Sequence, residues 1–249
     1  MFSLLSLFRK MRPATFDDPV APERSFFAIG DIHGDYSGME QILWRIEDMT
    51  ENPVVVCVGD YIDRGERSAD VLAWLRNVNT RYPDEFVCLM GNHEQMLLQF
   101  LDDPEEQGDR WLAFGGLQTL ASYNVRKTPG MTLEALRDDL AAAMGPEMIA
   151  WLRALPVVWV SGNVAVTHAG ADPALPVAEQ PLRNLIWGHP DFDRRVRKDG
   201  VWVVHGHNIV DLPFAQQGRI AIDTGAYVTG RLTAAHVFDG GVDFLSTGR

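Results

Sequence analysis

The chain is short of cysteine, short of positive charge, and has no long apolar run. Cys57 and Cys88 are the only cysteines in 249 residues, each inside an apolar, strand-like stretch. Two such thiols are too few for a disulfide scaffold and read as buried, reduced residues of a cytoplasmic protein. Lysine and arginine total 22 against 34 aspartates and glutamates, a net charge of −12. That balance argues against nucleic acid as a partner, because affinity there comes from basic residues neutralising phosphates. A phosphorylated substrate is still compatible with it, provided that bound cations set the local potential. No stretch reaches the roughly 18 consecutive apolar residues of a membrane-crossing helix. Internal repeats and low-complexity tracts are also absent.

The start of the chain makes a poor secretory signal, since Arg9, Lys10 and Arg12 follow its apolar part and no small-residue cleavage site appears. Residues 1–12 fit a frayed or docked terminus, with a membrane-surface helix presenting Phe2, Leu5 and Phe8 as the alternative. Pro13, Pro19 and Pro22 lie among polar residues and suggest that 13–24 is a tether, making 1–24 a leader and 25–249 the domain.

The domain opens with a strand at 25–29, then a helix whose apolar residues Tyr36, Met39, Ile42, Leu43 and Ile46 recur at spacings of three and four. A β-branched run, Val54-Val55-Val56-Cys57-Val58, predicts a buried strand. A helix over about 68–80 and a strand over 86–90 follow, completing β-α-β-α-β, the pattern of a parallel layered sheet. Residues 95–155 change character. Helices are expected through 95–101, 111–123 and 133–144 and again up to Leu155, with an acidic loop at 104–109 and Thr132 as an N-cap. Together they form a helical cap beside the site. Strands resume at 157–160 and 164–167 as a hairpin across Ser161-Gly162-Asn163, then at 201–204, 219–222, 232–238 and 242–245.

Each strand of the first half ends in glycine followed by polar residues able to bind metal. They are Asp31 and His33, then Asp60, Asp63 and Arg64, then Asn92 and His93. Later strands end at His168 and at His205-Gly206-His207. Six of the seven histidines lie in or beside these turns; His236, alone in a strand, reads as structural. Strand ends of an open α/β sheet are where ligands bind. The heptapeptide from Gly59 to Gly65 taken alone fits a salt-bridged turn equally well. In company, carboxylate, imidazole and amide oxygens suit Mn²⁺, Fe or Zn²⁺ rather than a thiolate-type site. If one aspartate bridges, two three-ligand sets result, with positions open for water.

Gly30-Asp31-Ile32-His33-Gly34, Gly59-Asp60 through Asp63-Arg64-Gly65, and Gly91-Asn92-His93-Glu94 stand in the order and spacing of the phosphoprotein phosphatases. These are calcineurin-like metallophosphoesterases, and the chain most resembles the bacteriophage lambda type of serine/threonine protein phosphatase. The likeness extends to Gly115-Gly116, Leu185-Ile186-Trp187 and Ile222-Asp223-Thr224-Gly225-Ala226, covering about 26–238. It implies an α+β fold, an α/β/β/α layered sandwich with the helical cap inserted.

The resemblance further implies two divalent metals, Mn²⁺ foremost. Asp31, His33 and Asp60 would hold one, and Asn92, His168 and His207 the other, with Asp60 shared. Hydroxide between the metals would attack phosphorus in line. Arg64 and Asn92 would bind phosphate, and His93, oriented by Asp63, would protonate the leaving alkoxide. The expected substrate is a phosphorylated protein or small phosphomonoester.

Two departures stand out. The lambda-type pattern has arginine two residues after Trp187, where this chain has His189. Either His189 makes the second phosphate contact, or Arg183, Arg194 or Arg195 replaces it. His205 is expected behind the ligands, with a direct ligand role the alternative. Two other functions are open: a symmetrical dinucleoside polyphosphate hydrolase, whose family shows Ala before the second-block Arg-Gly and Asp in place of Glu94, and a non-catalytic phosphoprotein-binding scaffold.

Overall fold

The computed structural model describes residues 15–248; the membrane-surface alternative for 1–12 lies outside them. Three parallel strands, β1 (Phe26–Ile29), β2 (Val55–Cys57) and β3 (Phe86–Cys88), form one half of a first sheet. Their alternate residues face opposite ways. Phe27, Ile29, Val55, Cys57, Phe86 and Cys88 join the core under the helices, whereas Phe26, Ala28, Val56 and Val87 face the second sheet. Burial on both faces explains why these strands read as continuous apolar runs rather than alternating ones.

Helix α1 (Tyr36–Met49) connects β1 to β2, and α2 (Ser68–Arg81) connects β2 to β3. Five helices then precede the next strand: α3 (Asn92–Asp102), α4 (Pro104–Trp111), α5 (Leu117–Ser122), α6 (Leu133–Met144) and α7 (Pro146–Arg153). The second sheet contains β4 (Val158–Ser161), β5 (Val164–Thr167), β6 (Trp202–His205), β7 (Phe214–Gln216) and β8 (Arg219–Ala221) in the order β4-β5-β6-β8-β7. A short helix α8 (Leu182–Trp187) precedes β6, and α9 (Ala226–Thr229) follows β8. The chain then returns to the first sheet as the hairpin β9 (Thr233–Phe238) and β10 (Gly241–Ser246), giving β10-β9-β1-β2-β3. Two mixed sheets with flanking helices make the layered α+β architecture that the motif order implies.

Three local expectations are corrected. Residues 104–109 are helical, not an acidic loop: Asp103 Oδ1 caps the Glu106 N–H at 3.2 Å, Pro104 starts the helix, and Glu105 and Glu106 sit in its first turn. That is favourable N-terminal chemistry, so the acids mark a helix start. The helix expected over 111–123 is broken by a wide turn at Leu112–Gly116, where Gly115 has φ 111°. The tether is anchored over 15–24: Phe16 packs edge-on against Trp202 at 5.0 Å, Val20 is buried, and Asn163 accepts from the Ala21 N–H at 2.8 Å. Strand β7 and helix α8 were not expected at all. Among the described residues no helix is long and apolar enough to cross a membrane.

Candidate active site

The turns after β1, β2, β3, β5 and β6 bring Asp31, His33, Asp60, Asp63, Asn92, His93, His168 and His207 together, and all except His207 are buried. Asp60 is at the centre. Its Oδ2 lies 3.6 Å from His33 Nε2 and 3.8 Å from His93 Nε2, while its Oδ1 lies 3.4 Å from His168 Nε2. Two groups of donor atoms share it, His33, Asp60 and His93 on one side and Asp60, His168 and His207 on the other, each within 4.8 Å. Asn92 Oδ1 sits 2.8 Å from both His168 Nε2 and His207 Nδ1, which adds an amide oxygen to the second group.

The imidazoles are oriented as metal ligands need. His33 Nδ1 donates to the Ile62 carbonyl at 2.7 Å and His168 Nδ1 to the Val58 carbonyl at 3.2 Å. Each Nε2 is thereby turned, deprotonated, toward Asp60. Burial lowers the pKa of His33 to about 3 and of His168 to about 4, so both rings are neutral at physiological pH. Burial pushes the Asp60 carboxyl up, but His168, His93 and His33 outweigh it and hold the group ionised. Asp31 is raised instead, by burial and then by the charges of Asp223 and Asp60. It is outside both donor groups; its two oxygens accept from the His207 N–H at 3.2 and 3.1 Å. Buried carboxylates next to neutral imidazoles, with too few cations to balance them, suit oxygen- and nitrogen-liganded divalent metals.

Beside this cluster is an acid–base pair. His93 Nδ1 donates to Asp63 Oδ2 at 2.7 Å. Burial lowers the His93 pKa, but Asp60 and the bond to Asp63 raise it more. The helical insertion fixes Asp63: Trp111 Nε1 donates to it at 3.1 Å and Thr119 Oγ1 at 2.6 Å. Thr119 Oγ1 also accepts from the Asp63 N–H at 2.9 Å. Arg64 follows, its N–H donating to Gly115 O at 3.3 Å and its guanidinium 4.5 Å above the Tyr227 ring. Tyr227 meets His33 edge-on at 5.2 Å.

Glu94 holds the turn that carries these groups. Its fully buried carboxylate accepts from the Asp60 and Tyr61 N–H groups at 2.8 Å each, from Gly91 at 3.0 Å and from Ile62 at 3.4 Å. Burial and the charge of Asp60 push its pKa up to about 8, against the pull of these N–H groups. Sequence reasoning used Glu94 only to tell families apart. Its position three residues after Gly91, at a helix start, was the available signal, since a glutamate there reaches back to the cap N–H. Nothing in local spacing marks Trp111, Thr119 or Tyr227.

Two residues are placed elsewhere. His189 Nε2 is 3.7 Å from Asp172, its Nδ1 accepts from the Asp191 N–H at 3.2 Å, and it joins neither donor group. His205 Nδ1 lies 3.0 Å from the Gly206 carbonyl, its ring meets Phe192 edge-on at 4.9 Å, and it too belongs to neither group.

The sequence profile of the calcineurin-like phosphoesterases matches residues 24–211. The chain is 37% identical over 93 residues to serine/threonine-protein phosphatase 2 of Escherichia coli (strain K12), an alignment spanning 37% of this chain and 39% of that protein. It is 27% identical over 228 residues to an asymmetrical bis(5'-nucleosyl)-tetraphosphatase of Bacillus velezensis, covering 82% of this chain and 86% of that protein. A solved protein serine/threonine phosphatase from Saccharomyces cerevisiae superposes with a TM-score of 0.64 at 17% identity, covering 93% of this chain and 84% of that one. That last likeness is one of fold.

Proposed function

This chain belongs to the calcineurin-like phosphoesterase family, and from that premise we propose that it is a manganese-dependent phosphatase of phosphoserine and phosphothreonine in proteins. Asp31, His33 and Asp60 would hold one metal and Asn92, His168 and His207 the other. Bound there, two divalent cations supply a water-derived nucleophile at neutral pH and offset the charge of the phosphate. The protein's own groups do the rest. Arg64 leaves the Tyr227 face to fork two phosphate oxygens, since a guanidinium–phosphate pair outweighs an exposed cation–π contact. Asn92 would join Arg64 in binding the phosphate. His93 Nε2, facing Asp60 across 3.8 Å, delivers a proton to the leaving oxygen, while Asp63 fixes the ring and keeps Nδ1 protonated.

The observation that carries this reading is the Asp63–His93 pair and its anchoring by Trp111 and Thr119. A serine or threonine alkoxide is a poor leaving group and needs a positioned acid. The nucleotide released from a dinucleoside polyphosphate is a weak base and leaves without one. The Bacillus velezensis relative supports a second reading, hydrolysis of dinucleoside polyphosphates. Turnover of a phosphoserine peptide against diadenosine tetraphosphate, with Mn²⁺ and with Asp60→Asn as the blank, separates the two. The peptide is expected to be turned over much faster, and a strong preference for the nucleotide refutes the primary reading.

A further inference from the structure

Two cation–aromatic–histidine stacks flank the metal-binding cluster. One is Arg64 on Tyr227, with Tyr227 edge-on to His33. The other is Arg110, whose guanidinium lies 4.9 Å above the Trp187 ring, with Trp187 edge-on to His207 at 6.4 Å. Trp187 is held in that place by its Nε1 donating to Gln95 Oε1 at 2.6 Å. Arg110 is exposed, sits in the last turn of α4, and makes no ion pair among the described residues.

The residue that the motif pattern assigns to the second phosphate contact is His189, and it faces Asp172. Of the arginines near it in sequence, Arg195 is paired with Asp191 at 3.3 Å. On the His207 side the guanidinium near the cluster comes instead from a residue of the helical insertion, Arg110. That insertion crosses the site: Arg110 touches Trp187 on the His207 side, Trp111 and Thr119 grip Asp63, and Gly115 seats Arg64. One segment therefore sets the positions of both guanidiniums.

We propose that Arg110 is the second anion-gripping residue of the site, supplying from the His207 side the phosphate contact that His189 does not make. It rests on Trp187 as Arg64 rests on Tyr227, and both swing onto phosphate oxygens when substrate enters. The stacked guanidinium is already oriented and incompletely hydrated, so little is lost in moving from ring face to anion. This inference rests on the phosphomonoester reading, and binding of inorganic phosphate tests it separately from turnover.

The experiment is calorimetric titration of inorganic phosphate into the Mn²⁺-loaded full chain, the Arg110→Ala and Arg110→Lys variants, and Lys127→Ala, which removes the same charge from an exposed loop. Steady-state kinetics on p-nitrophenyl phosphate accompanies it. Arg110→Ala is expected to weaken phosphate about tenfold, the loss of one charge-assisted hydrogen bond. It should also raise KM with little change in kcat. Arg110→Lys should recover part of that, because the charge remains and the fork does not. Phosphate binding by Arg110→Ala equal to that of Lys127→Ala overturns the proposal, as does a loss confined to kcat or an absence of phosphate binding to the unaltered protein. Should Arg110→Ala lose phosphate while the unaltered protein turns over no phosphomonoester, the anion site stands and the phosphatase reading falls.

Discussion

Replacing Glu94 by glutamine tests how the site's backbone is held. The turn from Gly59 to Gly65 places Asp60, Asp63 and Arg64 at φ 53°, 69° and 69°, in the left-handed region that favours glycine. Each such residue costs on the order of 1–3 kcal/mol. Against this, Glu94 accepts four backbone N–H groups, those of Asp60, Tyr61, Ile62 and Gly91. Glutamine keeps one acceptor oxygen and points an NH2 group at either the Asp60 and Gly91 donors or the Tyr61 and Ile62 donors. Two charge-assisted bonds disappear, about 3–6 kcal/mol at 1.5–3 kcal/mol each. That is a large share of a total stability of roughly 5–15 kcal/mol. For a chain of this size it corresponds to a fall in Tm of roughly 6–24 °C, at 2–4 °C per kcal/mol. Melting is best followed by calorimetry on the metal-loaded protein, where cations beside Asp60 favour the ionised carboxylate, and bound metal is counted alongside because Asp60 rides on this turn. A Glu94→Gln protein that melts within about 2 °C of the unaltered one and keeps its metal would show that other contacts bear the strain.

Three further outcomes are expected. His93→Asn should slow release of an alkyl leaving group by about 10²–10⁴ and of p-nitrophenolate far less; equal losses would remove His93 from the role of acid. Gly115→Ala places a Cβ 2.7 Å from the Arg64 N at φ 111°, so it should displace Arg64 and raise KM severalfold with metal content unchanged, and an unchanged KM would mean that Arg64 does not depend on this seat. Metal-free protein should lose Tm as pH rises from about 7 to 8, above the ordinary histidine range in which the buried neutral His33 and His168 still favour the fold as pH climbs, while loaded protein should not. The folded-state pKa values of Asp31 and of Glu94 (about 8) lie above their ordinary values, so their favourable contribution is present in acid and is lost as pH climbs through that range. A Tm of chelated protein that is flat or rises over the same range contradicts the electrostatic account.

What could be read from the sequence and what could not divide along a physical line. The central strands were legible because burial on both faces requires short β-branched runs, and each run stops at a glycine where the ligands begin. The metal-competent residues were legible because each group is local, two or three side chains on one turn, such as Asp31 with His33 or Asn92 with His93. Contacts made by the helical insertion were not. Trp111 and Thr119 reach Asp63 across 48 and 56 residues of chain, one from the end of α4 and the other from α5 beyond the wide turn at Leu112–Gly116. Helical periodicity does not encode such a break. The anchoring of 15–24 was hidden for a similar reason, since proline-rich polar composition describes a tether equally well whether or not a sheet edge receives it.

The strained turn is a different kind of blind spot. Asp60, Asp63 and Arg64 stand at positive φ, where glycine is favoured, and in the residue string they look like an acidic turn. Their conformation is imposed by Glu94 from α3 and by Thr119 and Gly115 from the insertion. The chemistry therefore depends on three elements that converge on five residues. A substitution at Glu94, which binds the Asp60, Tyr61 and Ile62 N–H groups, should disturb the whole turn together, whereas one at Gly115, Tyr227 or Trp187 should disturb a single arginine.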